Sequence, residues 1–345
     1  MPVVTCLSVS FKEEMEDSGL EIGLFYYVFM WFVICFIWWK WRAGQKLKDM
    51  YLVGKYVFIT GCDSGFGKRA AKTFDKKGFQ VIAACLTQEG AAELKAETSR
   101  HLHAVLLDVT KTESIKSVTE YVKKEVGDKG LWGLINNAGI MGVSAPTDWL
   151  TIEQYKAPID VNLIGLINVT LHMLPLVKKA KGRIINVTSV GGVLPICSGG
   201  YCPSKYGAEA FTDSLRQDMI PFGVNVSCIQ PGLFKTGLSD RDMVMRQKMA
   251  VWDTLPQTIQ KQYGEKYLKE EAVKKEKLVK LCQNTDISLV VHCMEHALMS
   301  KYPKARYSAG MDAKILWLPL SKMPSFVQDF VLMKNKVQLF DPNAV

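Results

Sequence analysis

Short apolar runs alternate with longer stretches of mixed character along most of the chain. Most of the runs are continuously apolar, which is typical of strands that are buried on both faces. Seven strands are predicted, at Tyr56–Thr60, Phe79–Ala84, His103–Val109, Leu131–Gly139, Arg183–Val190, Val224–Gly232 and Arg306–Gly310. Capping-box spacing of Thr110 with Glu113, and of Thr151 with Gln154, predicts two of the helix starts between them. This alternation predicts an α/β fold, a doubly wound parallel sheet with helices on both faces.

The pattern changes after the sixth strand. The stretch from 233 to about 285 is rich in Met, Lys and Gln and predicts helices without a strand, which suits a lid over an apolar pocket. Ile315–Met333 is apolar but is interrupted by Pro319 and Pro324, which argues against a membrane span. We expect the C-terminal segment 311–345 to face the substrate or a membrane, with ordinary core packing as the alternative.

The N-terminal region carries a second kind of apolar run. Ile22–Trp39 holds no charge over 18 residues, which is near the minimum for a helix that crosses a bilayer. The tail 1–21 is acidic and no small-residue cleavage site follows, so a cleaved signal peptide fits poorly. Basic residues gather in the following linker, 40–54. We therefore expect a single-pass transmembrane anchor, and the positive-inside rule places the remaining chain in the cytosol.

Composition narrows the classes of partner. The chain has 345 residues, of which 48% are apolar and 22% charged, as in globular proteins. Its net charge is +9, but the basic residues are mixed with acids, as in Lys269–Lys280, so we expect no nucleic-acid partner. Nine cysteines without a CxxC pair predict no metal site. The apolar surroundings of Cys62, Cys85 and Cys228 indicate buried thiols.

One stretch, GGYCPSKYG, places Tyr201 and Lys205 four residues apart, so a helix would carry both side chains on one face. An ammonium group beside a phenol favours the phenolate and lowers its pKa from about 10. Such a tyrosine can exchange a proton with an alcohol near neutral pH. Tyr51 and Lys55 have the same spacing, so the spacing alone does not identify a site.

The first predicted strand runs directly into a glycine-rich turn, TGCDSGFG, at Thr60–Gly67. Glycines there permit a tight turn and the close approach of a ligand, and the N-terminus of the next helix suits a pyrophosphate. This arrangement predicts a dinucleotide site, while a turn that binds nothing is the alternative. No Gly-Lys-Ser/Thr sequence follows, so an ATP-type phosphate loop is not expected.

The residue at the end of the second strand usually distinguishes the two cofactors. An acidic residue there binds the ribose 2′-hydroxyl of NAD, and a basic residue there accommodates the 2′-phosphate of NADP. Cys85 stands there and is neither. Asp63 in the glycine-rich turn adds a negative charge that repels a 2′-phosphate, so NAD is predicted over NADP. Asp108, after the third strand, is a candidate for binding the adenine amino group, or it only opens the next helix.

Further polar groups follow other strands, at the carboxyl ends where open α/β sheets bind ligands. The fourth strand ends in NNAG at Asn136–Gly139, the fifth leads to Ser189, and the sixth continues into PGLFKT at Pro231–Thr236. Tyr201 comes 12 residues after the serine. The other tyrosine–lysine pair precedes the first strand and has no such neighbours, so we interpret it as a pair of surface residues.

These motifs occur in the order TGxxxGxG (Thr60–Gly67), NNAG (Asn136–Gly139), Ser189, YxxxK (Tyr201–Lys205) and PG (Pro231–Gly232). The set resembles the short-chain dehydrogenase/reductase family over residues 55–310. Longer stretches of the sequence, such as FITGCDSGFG, APTDWLT and CIQPGLFKT, are similar to the membrane-bound retinol and 3α-hydroxysteroid dehydrogenase branch of that family. The resemblance implies a Rossmann-type catalytic domain that follows the anchor.

The resemblance also implies roles for matched positions. Tyr201 would be the general base in alcohol oxidation, Lys205 would lower its pKa and bind the nicotinamide ribose, and Ser189 would hydrogen-bond the substrate oxygen. Asn162 would complete a proton relay, or it is only a packed polar residue. The residues expected at the cofactor are Thr60, Gly61, Asp63, Ser64, Gly65, Phe66, Gly67, Asp108, Asn137, Ala138, Gly139, Tyr201, Lys205, Pro231, Gly232 and Thr236.

The expected function is that of an NAD-dependent oxidoreductase, anchored in the endoplasmic reticulum membrane, that oxidises a lipophilic alcohol. Retinol is the first candidate and 3α-hydroxysteroids are the second, and the resemblance allows a homodimer. The alternative is a non-catalytic, cofactor-binding membrane scaffold or sensor. A missing Tyr, Lys or Ser would favour that alternative, and all three are present.

Overall fold

The computed structural model describes residues 26–38, 40–42, 44–47, 49–236, 241–264, 267, 270 and 282–333. The chain divides into two compact units, one of Met1–Lys46 with Ser300–Tyr302 and one of Leu47–Met299 with Pro303–Val345. The second unit carries all seven strands and all the predicted site residues. It also includes Leu52, which is buried, although the sequence placed this residue in the linker.

One seven-stranded sheet forms the centre of the second unit. Its strands are β1 Tyr56–Thr60, β2 Gln80–Cys85, β3 Leu102–Leu106, β4 Gly133–Asn136, β5 Arg183–Val187, β6 Asn225–Pro231 and β7 Arg306–Ala309. They lie in the order β3-β2-β1-β4-β5-β6-β7, and every neighbouring pair is parallel. The strand order reverses between β1 and β4, so their carboxyl ends open a crevice of the kind that binds ligands. The predicted doubly wound sheet is confirmed.

Helices cover both faces of the sheet. The helices are α1 Gly65–Lys76, α2 Gln88–Ala96, α3 Thr112–Val126, α4 Ile152–Ile159, α5 Leu166–Ala180, α6 Tyr201–Met219, α7 Arg241–Thr254, α8 Gln257–Tyr263, α9 Ser288–Met299 and α10 Ser325–Met333. Of these, α1, α2 and α9 lie against one face of the sheet, and α3, α5 and α6 lie against the other. A π-helical turn, Asp160–Gly165, joins α4 to α5. A second one, Ala313–Trp317, precedes a short turn at Leu318–Leu320.

The core has two parts because successive residues of a strand face opposite sides of the sheet. On β1, Val57 and Ile59 belong to the part that packs against α1, α2 and α9. Phe58, between them, belongs to the part that packs against α3, α5 and α6. All three side chains have no exposed surface, and complete burial of such a side chain contributes about 1.5–3 kcal/mol. The continuous apolar pattern of the strand is thereby explained.

One of the two predicted helix starts is wrong. Thr151 and Gln154 form their capping box, in which the Thr151 N–H donates to Gln154 Oε1 at 2.8 Å. The box predicted for Thr110 does not form, because the Thr110 hydroxyl donates to Asp108 Oδ1 at 2.6 Å and α3 begins only at Thr112. A local turn therefore takes the side chain that the cap required.

Only part of the predicted anchor Ile22–Trp39 can be compared with the structure, since 22–25 and Trp39 lie outside the described residues. Residues 26–38 are helical and mostly exposed, with Tyr27 73% exposed. Elsewhere in the described chain, Ile152–Ala180 is long and apolar enough to cross a membrane, with a mean hydropathy of 1.5. Because its Met173 and Val177 belong to the core beside the sheet, we assign this helix to the globular unit.

Candidate active site

The glycine-rich turn is fastened to the end of β4 by four hydrogen bonds. Thr60 Oγ1 accepts from the backbone N–H groups of Asn137 and Ala138, both at 3.0 Å. The side-chain amide of Asn137 donates in return to the carbonyl oxygens of Thr60 and Gly61, also at 3.0 Å. These bonds fix the shape of the crevice between β1 and β4.

Two glycines of the turn lie where no side chain fits. A Cβ on Gly61, whose φ is 69°, would lie 2.8 Å from Ala138 Cα, and a Cβ on Gly67 would lie 2.1 Å from the Gly61 carbonyl oxygen. Gly65 then opens α1, and Ser64 gives this helix no side-chain cap. The first N–H groups of α1 therefore keep the capacity to bind an anion such as a pyrophosphate.

The Asp63 side chain crosses from the turn to the end of β2. Its Oδ2 accepts from the Leu86 N–H at 2.8 Å, and its Oδ1 accepts from the N–H and hydroxyl of Thr87 at 2.9 and 2.8 Å. Partial burial raises the pKa of Asp63, but these bonds outweigh it and lower that pKa below its usual value. A negative charge is thus held beside Cys85, whose own pKa burial raises to about 11.

Asp108 lies two residues beyond β3 and is used in the turn that leads to α3. Its Oδ1 accepts from the Thr110 N–H at 3.0 Å as well as from the hydroxyl, and Lys111 Nζ lies 3.3 Å from Oδ2. The Thr110 hydroxyl bond is the main cause that lowers the pKa of Asp108. These contacts are those of a helix entry, and the adenine role stays a prediction.

Ser189 and Tyr201 are hydrogen-bonded to each other through their hydroxyl groups. Ser189 follows β5, and its Oγ also accepts from the Gly191 N–H at 3.0 Å. Tyr201 is the first residue of α6. A Cβ on Gly191 would lie 3.2 Å from Tyr201 Cε1, so the glycine leaves room for the ring. Burial raises the pKa of Tyr201, and the bond with Ser189 opposes that rise.

Lys205 lies one turn along α6 and is only 5% exposed. Its Nζ donates to the Val187 carbonyl oxygen at 2.9 Å and lies 5.9 Å from the centre of the Tyr201 ring. Burial lowers the pKa of Lys205 to about 8, although nearby Cys228 and Glu209 act in the opposite direction. The lowering of the tyrosine pKa by this lysine stays a prediction.

Asn162 lies in the π-helical turn between α4 and α5 and has no exposed surface. Its Oδ1 accepts from the Ile140 N–H at 2.8 Å, and its Nδ2 donates to the Ile140 carbonyl and to Ser204 Oγ, both at 2.9 Å. A Cβ on Gly139 would lie 3.1 Å from Asn162 Oδ1 and 3.6 Å from Lys205 Nζ. The side chains of the asparagine and the lysine therefore both lie next to the backbone of the glycine.

The segment after β6 returns to the glycine-rich turn. Pro231 ends the strand, and Thr236 carbon atoms lie 3.9 Å from the place that a Cβ on Gly65 would take. The Phe66 ring meets the Phe234 ring edge to face, with centroids 5.5 Å apart. The loop that follows the proline is held by a group that the sequence analysis did not identify.

That group is the carboxylate of Asp312. Its Oδ2 accepts from the Leu233 N–H at 2.7 Å and from Trp317 Nε1 at 3.1 Å. A Cβ on Gly232 would lie 2.2 Å from this oxygen, so the position requires a glycine. The C-terminal region thereby supports the loop that closes one side of the crevice.

A buried carboxylate, Glu209, was also missed. Its Oε1 accepts from Thr188 Oγ1 at 2.5 Å, Cys228 Sγ at 2.9 Å and Gln230 Nε2 at 3.1 Å. Its Oε2 pairs with Arg306 Nε at 3.2 Å. The network joins α6 to β6, to β7 and to the residue that follows β5, close to the lysine. The only sequence signal for this network was the position of the acid, on the face of α6 that the structure buries.

The predicted residues that meet at this edge of the sheet are Thr60, Gly61, Asp63, Ser64, Gly65, Phe66, Gly67, Asn137, Ala138, Gly139, Asn162, Ser189, Tyr201, Lys205, Pro231, Gly232 and Thr236. They combine a turn that suits a dinucleotide with a tyrosine, a lysine, a serine and an asparagine. Residues 55–246 match the short chain dehydrogenase family. The chain belongs to that family.

Individual members agree with this assignment. The dehydrogenase/reductase SDR family member 9 of Homo sapiens is 59% identical over 313 residues, 91% of this chain and 97% of that protein. Retinol dehydrogenase 16 of Mus musculus is 52% identical over 282 residues, 82% of this chain and 89% of that protein. The 17-beta-hydroxysteroid dehydrogenase type 6 of Rattus norvegicus is 47% identical over 311 residues, 90% and 94% of the two chains.

A solved structure agrees in fold. A short-chain dehydrogenase from Streptomyces avermitilis has a TM-score of 0.64 at 24% identity and covers 81% of this chain and 97% of its own. The predicted family and enzyme class are confirmed, and the protein is an oxidoreductase that uses a nicotinamide cofactor. The uncapped N-terminus of α1 and the turn fastened to β4 fit such a cofactor.

Proposed function

We propose that the protein is a membrane-anchored, NAD-dependent alcohol dehydrogenase of this family. Its substrate is a lipophilic alcohol, retinol first and a 3α-hydroxysteroid second, which is interconverted with the corresponding carbonyl compound. The observation that carries the proposal is the hydrogen-bonded pair Ser189–Tyr201 beside buried Lys205 and Asn162. The names of the mouse and rat relatives support the substrate class, because those proteins are called retinol and hydroxysteroid dehydrogenases.

The side chains divide the chemistry of alcohol oxidation among themselves. A bound nicotinamide supplies hydride acceptance. Ser189 holds the substrate oxygen beside the Tyr201 phenol, and the ionised phenol takes the hydroxyl proton as the carbonyl forms. Lys205 places a positive charge near the phenolate, and its ammonium group would hold the ribose of a bound nicotinamide cofactor. Asn162 holds Ile140 and Ser204 and so keeps the loop after β4 against the start of α6.

The preference for NAD rests on Asp63. The N–H groups of Leu86 and Thr87, which follow β2, are already bonded to its carboxylate. A 2′-phosphate at this place would meet a negative charge and would find those donors taken. Lys68, on α1, pairs with Glu93 at 2.7 Å, so this cation is also engaged.

An apolar wall near the tyrosine supports the choice of a lipophilic substrate. Trp149, after β4, packs against Trp252 of α7 and Tyr263 of α8, with ring centroids 5.1 and 5.0 Å apart. This cluster is joined to the region of Tyr201, because a Cβ on Gly199 would lie 2.4 Å from the Val143 carbonyl oxygen. We propose that α7 and α8 are the described part of the substrate lid.

The membrane location is proposed from two apolar regions. The run Ile22–Trp39 suits a single-pass anchor in the endoplasmic reticulum membrane with the catalytic unit in the cytosol. On α10, Phe326 and Phe330 are 74% and 71% exposed, and Ile315 before it is 68% exposed. Exposed apolar side chains in such number suit contact with lipid.

The test is a set of initial rates on membranes that contain the intact chain. All-trans-retinol or a 3α-hydroxysteroid is supplied with NAD or NADP, and Tyr201→Phe is the blank. We expect turnover with NAD that is lost in the blank. NAD binding without turnover of either alcohol would favour the non-catalytic scaffold or sensor.

A second variant tests the cofactor preference alone. Asp63→Asn keeps the size of the side chain and removes its charge, so the ratio of NADP to NAD turnover is expected to rise about tenfold, on the order of 1.4 kcal/mol. Asp128→Asn is the matched control, since that carboxylate is fully exposed and pairs with Lys179 at 2.7 Å. An unchanged ratio in Asp63→Asn would contradict the role of this residue.

A further inference from the structure

Two cysteines stand beside the catalytic tyrosine. Cys202 is the second residue of α6, and Cys197 lies in the loop before that helix. Their Sγ atoms are 3.4 Å apart, and both residues are thiols rather than a disulfide. Cys202 is buried, with 4% of its surface exposed, whereas Cys197 is partly exposed.

The surroundings of Cys202 favour a thiolate. The hydrogen bond with the Cys197 thiol is the main cause that lowers the pKa of Cys202 below its usual value. Backbone N–H groups of Cys197 and Ile196 add to this effect, and burial opposes it. The positive end of the helix dipole at the first turn of α6 acts in the same direction. A nucleophilic sulfur and a second thiol are therefore in contact.

We propose that Cys197 and Cys202 form an oxidisable dithiol, which hydrogen peroxide converts to an intramolecular disulfide. The Cys202 thiolate attacks one peroxide oxygen, which breaks the O–O bond, gives a sulfenic acid and releases hydroxide. The Cys197 thiol then attacks the sulfenic sulfur, and water leaves. The two thiols lose two electrons and two protons in total, and the peroxide is reduced to two molecules of water.

Formation of the disulfide changes the catalytic geometry. The sulfur atoms must approach by about 1.4 Å to reach a bond length near 2.05 Å. The chain next to the tyrosine has little freedom, because a Cβ on Gly199 or Gly200 would lie 2.4 Å from a neighbouring carbonyl oxygen. The start of α6, which carries Tyr201, therefore takes part of the strain. A displacement near 1 Å at a catalytic group costs about 10²-fold in rate.

The covalent test does not depend on the proposed activity. Trypsin releases the peptide 184–205, whose two cysteines are Cys197 and Cys202. The peptide 281–301 also has two, Cys282 and Cys293, and burial raises the pKa of both. After treatment of the intact protein with hydrogen peroxide, the first peptide is expected to lose two hydrogens and to resist iodoacetamide. The second peptide should still take up two alkyl groups.

Two variants complete the experiment. Cys197→Ser is expected to abolish the mass loss in peptide 184–205, and Cys293→Ser is expected to leave it unchanged. Equal oxidation of the two peptides in the wild type would overturn the proposal. So would a sulfinic acid on Cys202 without a cross-link, because the second thiol would then not be the resolving group.

The consequence for catalysis is a separate measurement that rests on the proposed function. Turnover of retinol with NAD is followed before and after peroxide, and each variant is compared with its own reduced form. We expect the wild type to lose about 10²-fold in rate after peroxide and to recover with dithiothreitol. Cys197→Ser cannot form the disulfide, so we expect it to lack this loss and recovery. A disulfide in peptide 184–205 with full activity would overturn the geometric effect and leave the modification site standing.

Discussion

The chain holds two tyrosine–lysine pairs at the same spacing, and the structure gives them opposite surroundings. Tyr51 is 51% exposed, and Lys55 Nζ lies 4.5 Å from the centre of its ring. In the other pair, Lys205 is buried and its Nζ lies farther from the Tyr201 ring, at 5.9 Å. The surface pair is thus the closer one. Proximity of an ammonium to a phenol does not by itself make a site.

The difference lies in the groups that the sheet brings to each pair. Tyr201 meets Ser189 at the end of β5, and Lys205 donates to the Val187 carbonyl at the end of that strand. Tyr51 instead meets the Trp132 ring, with centroids 5.8 Å apart. Polar groups at the carboxyl ends of parallel strands provide the chemistry, while an aromatic neighbour provides only packing.

The largest expected contrast is between the two tyrosines. Tyr201→Phe removes the proposed proton acceptor and should lower kcat for alcohol oxidation by about 10²–10⁴-fold, with NAD binding retained. Tyr51→Phe should leave kcat close to wild type. The measurement is steady-state turnover together with cofactor binding by fluorescence. Equal effects of the two substitutions would remove the distinction between the pairs.

The lysines should differ next. Lys205→Met keeps the length and removes a buried charge, so kcat/KM is expected to fall about 10²-fold while the chain still folds. Lys55→Met is the matched control at the surface pair and should change kcat/KM little. Circular dichroism checks the fold of both variants. A normal kcat/KM in folded Lys205→Met would exclude this lysine from catalysis.

The bond between Ser189 and Tyr201 predicts a shift in pH dependence. This bond lowers the pKa of Tyr201 against the effect of burial, so Ser189→Ala should raise that pKa further. The proposed mechanism of oxidation needs the ionised phenol, and the rising limb of kcat/KM should therefore move to higher pH. Ser227→Ala, which removes a hydroxyl that donates to the Lys304 carbonyl, should leave the limb in place. A shift to lower pH in Ser189→Ala would contradict the sign of the interaction.

The smallest expected effect concerns the surface pair, Tyr51 and Lys55, and changes only the stability of the fold. Lys55 Nζ lies over both the Tyr51 and Trp132 rings, at 4.5 and 5.3 Å. Lys55→Ala should therefore lower the free energy of unfolding in urea by about 0.5–1 kcal/mol, as for other exposed cation–π contacts. Lys95→Ala, at an exposed position of α2, should cause no loss. Loss of activity in Lys55→Ala without loss of stability would be unexpected.

The sequence predicted where strands begin better than where they end. β1 has the predicted bounds, because both faces of the sheet are covered there and every residue of the strand after the first is buried. β4 was predicted to reach Gly139 but ends at Asn136, since Asn137 donates its side-chain amide to the carbonyl oxygens of Thr60 and Gly61. β5 was predicted to reach Val190 but ends at Val187. Apolar character continues beyond a strand when the following loop is itself buried.

The motif residues of the site could be named from the sequence because their spacing is fixed within single loops. The hydrogen-bond partners of Asp63 and Glu209 could not be named from the sequence. Asp63 meets residues 23 and 24 positions away, and Glu209 joins residues of β6 and β7 and the residue that follows β5. Such contacts depend on the strand order, which the pattern of apolar runs does not specify. The contact of Cys197 with Cys202 similarly required the path of the loop before α6.

The π-helical turn at Asp160–Gly165 has a consequence for how this enzyme can be altered. A π-helical turn holds an extra residue, so the helical phase before it differs from the phase after it. In α4 the side chains are oriented for the loop that contains Gly142, whereas in α5 those of Val169 and Met173 are oriented for the sheet. The loss of one residue from the turn would bring the two segments into a single phase. Asn162 and the apolar stripe of α5 could then no longer both keep their partners, so this turn tolerates substitution better than deletion.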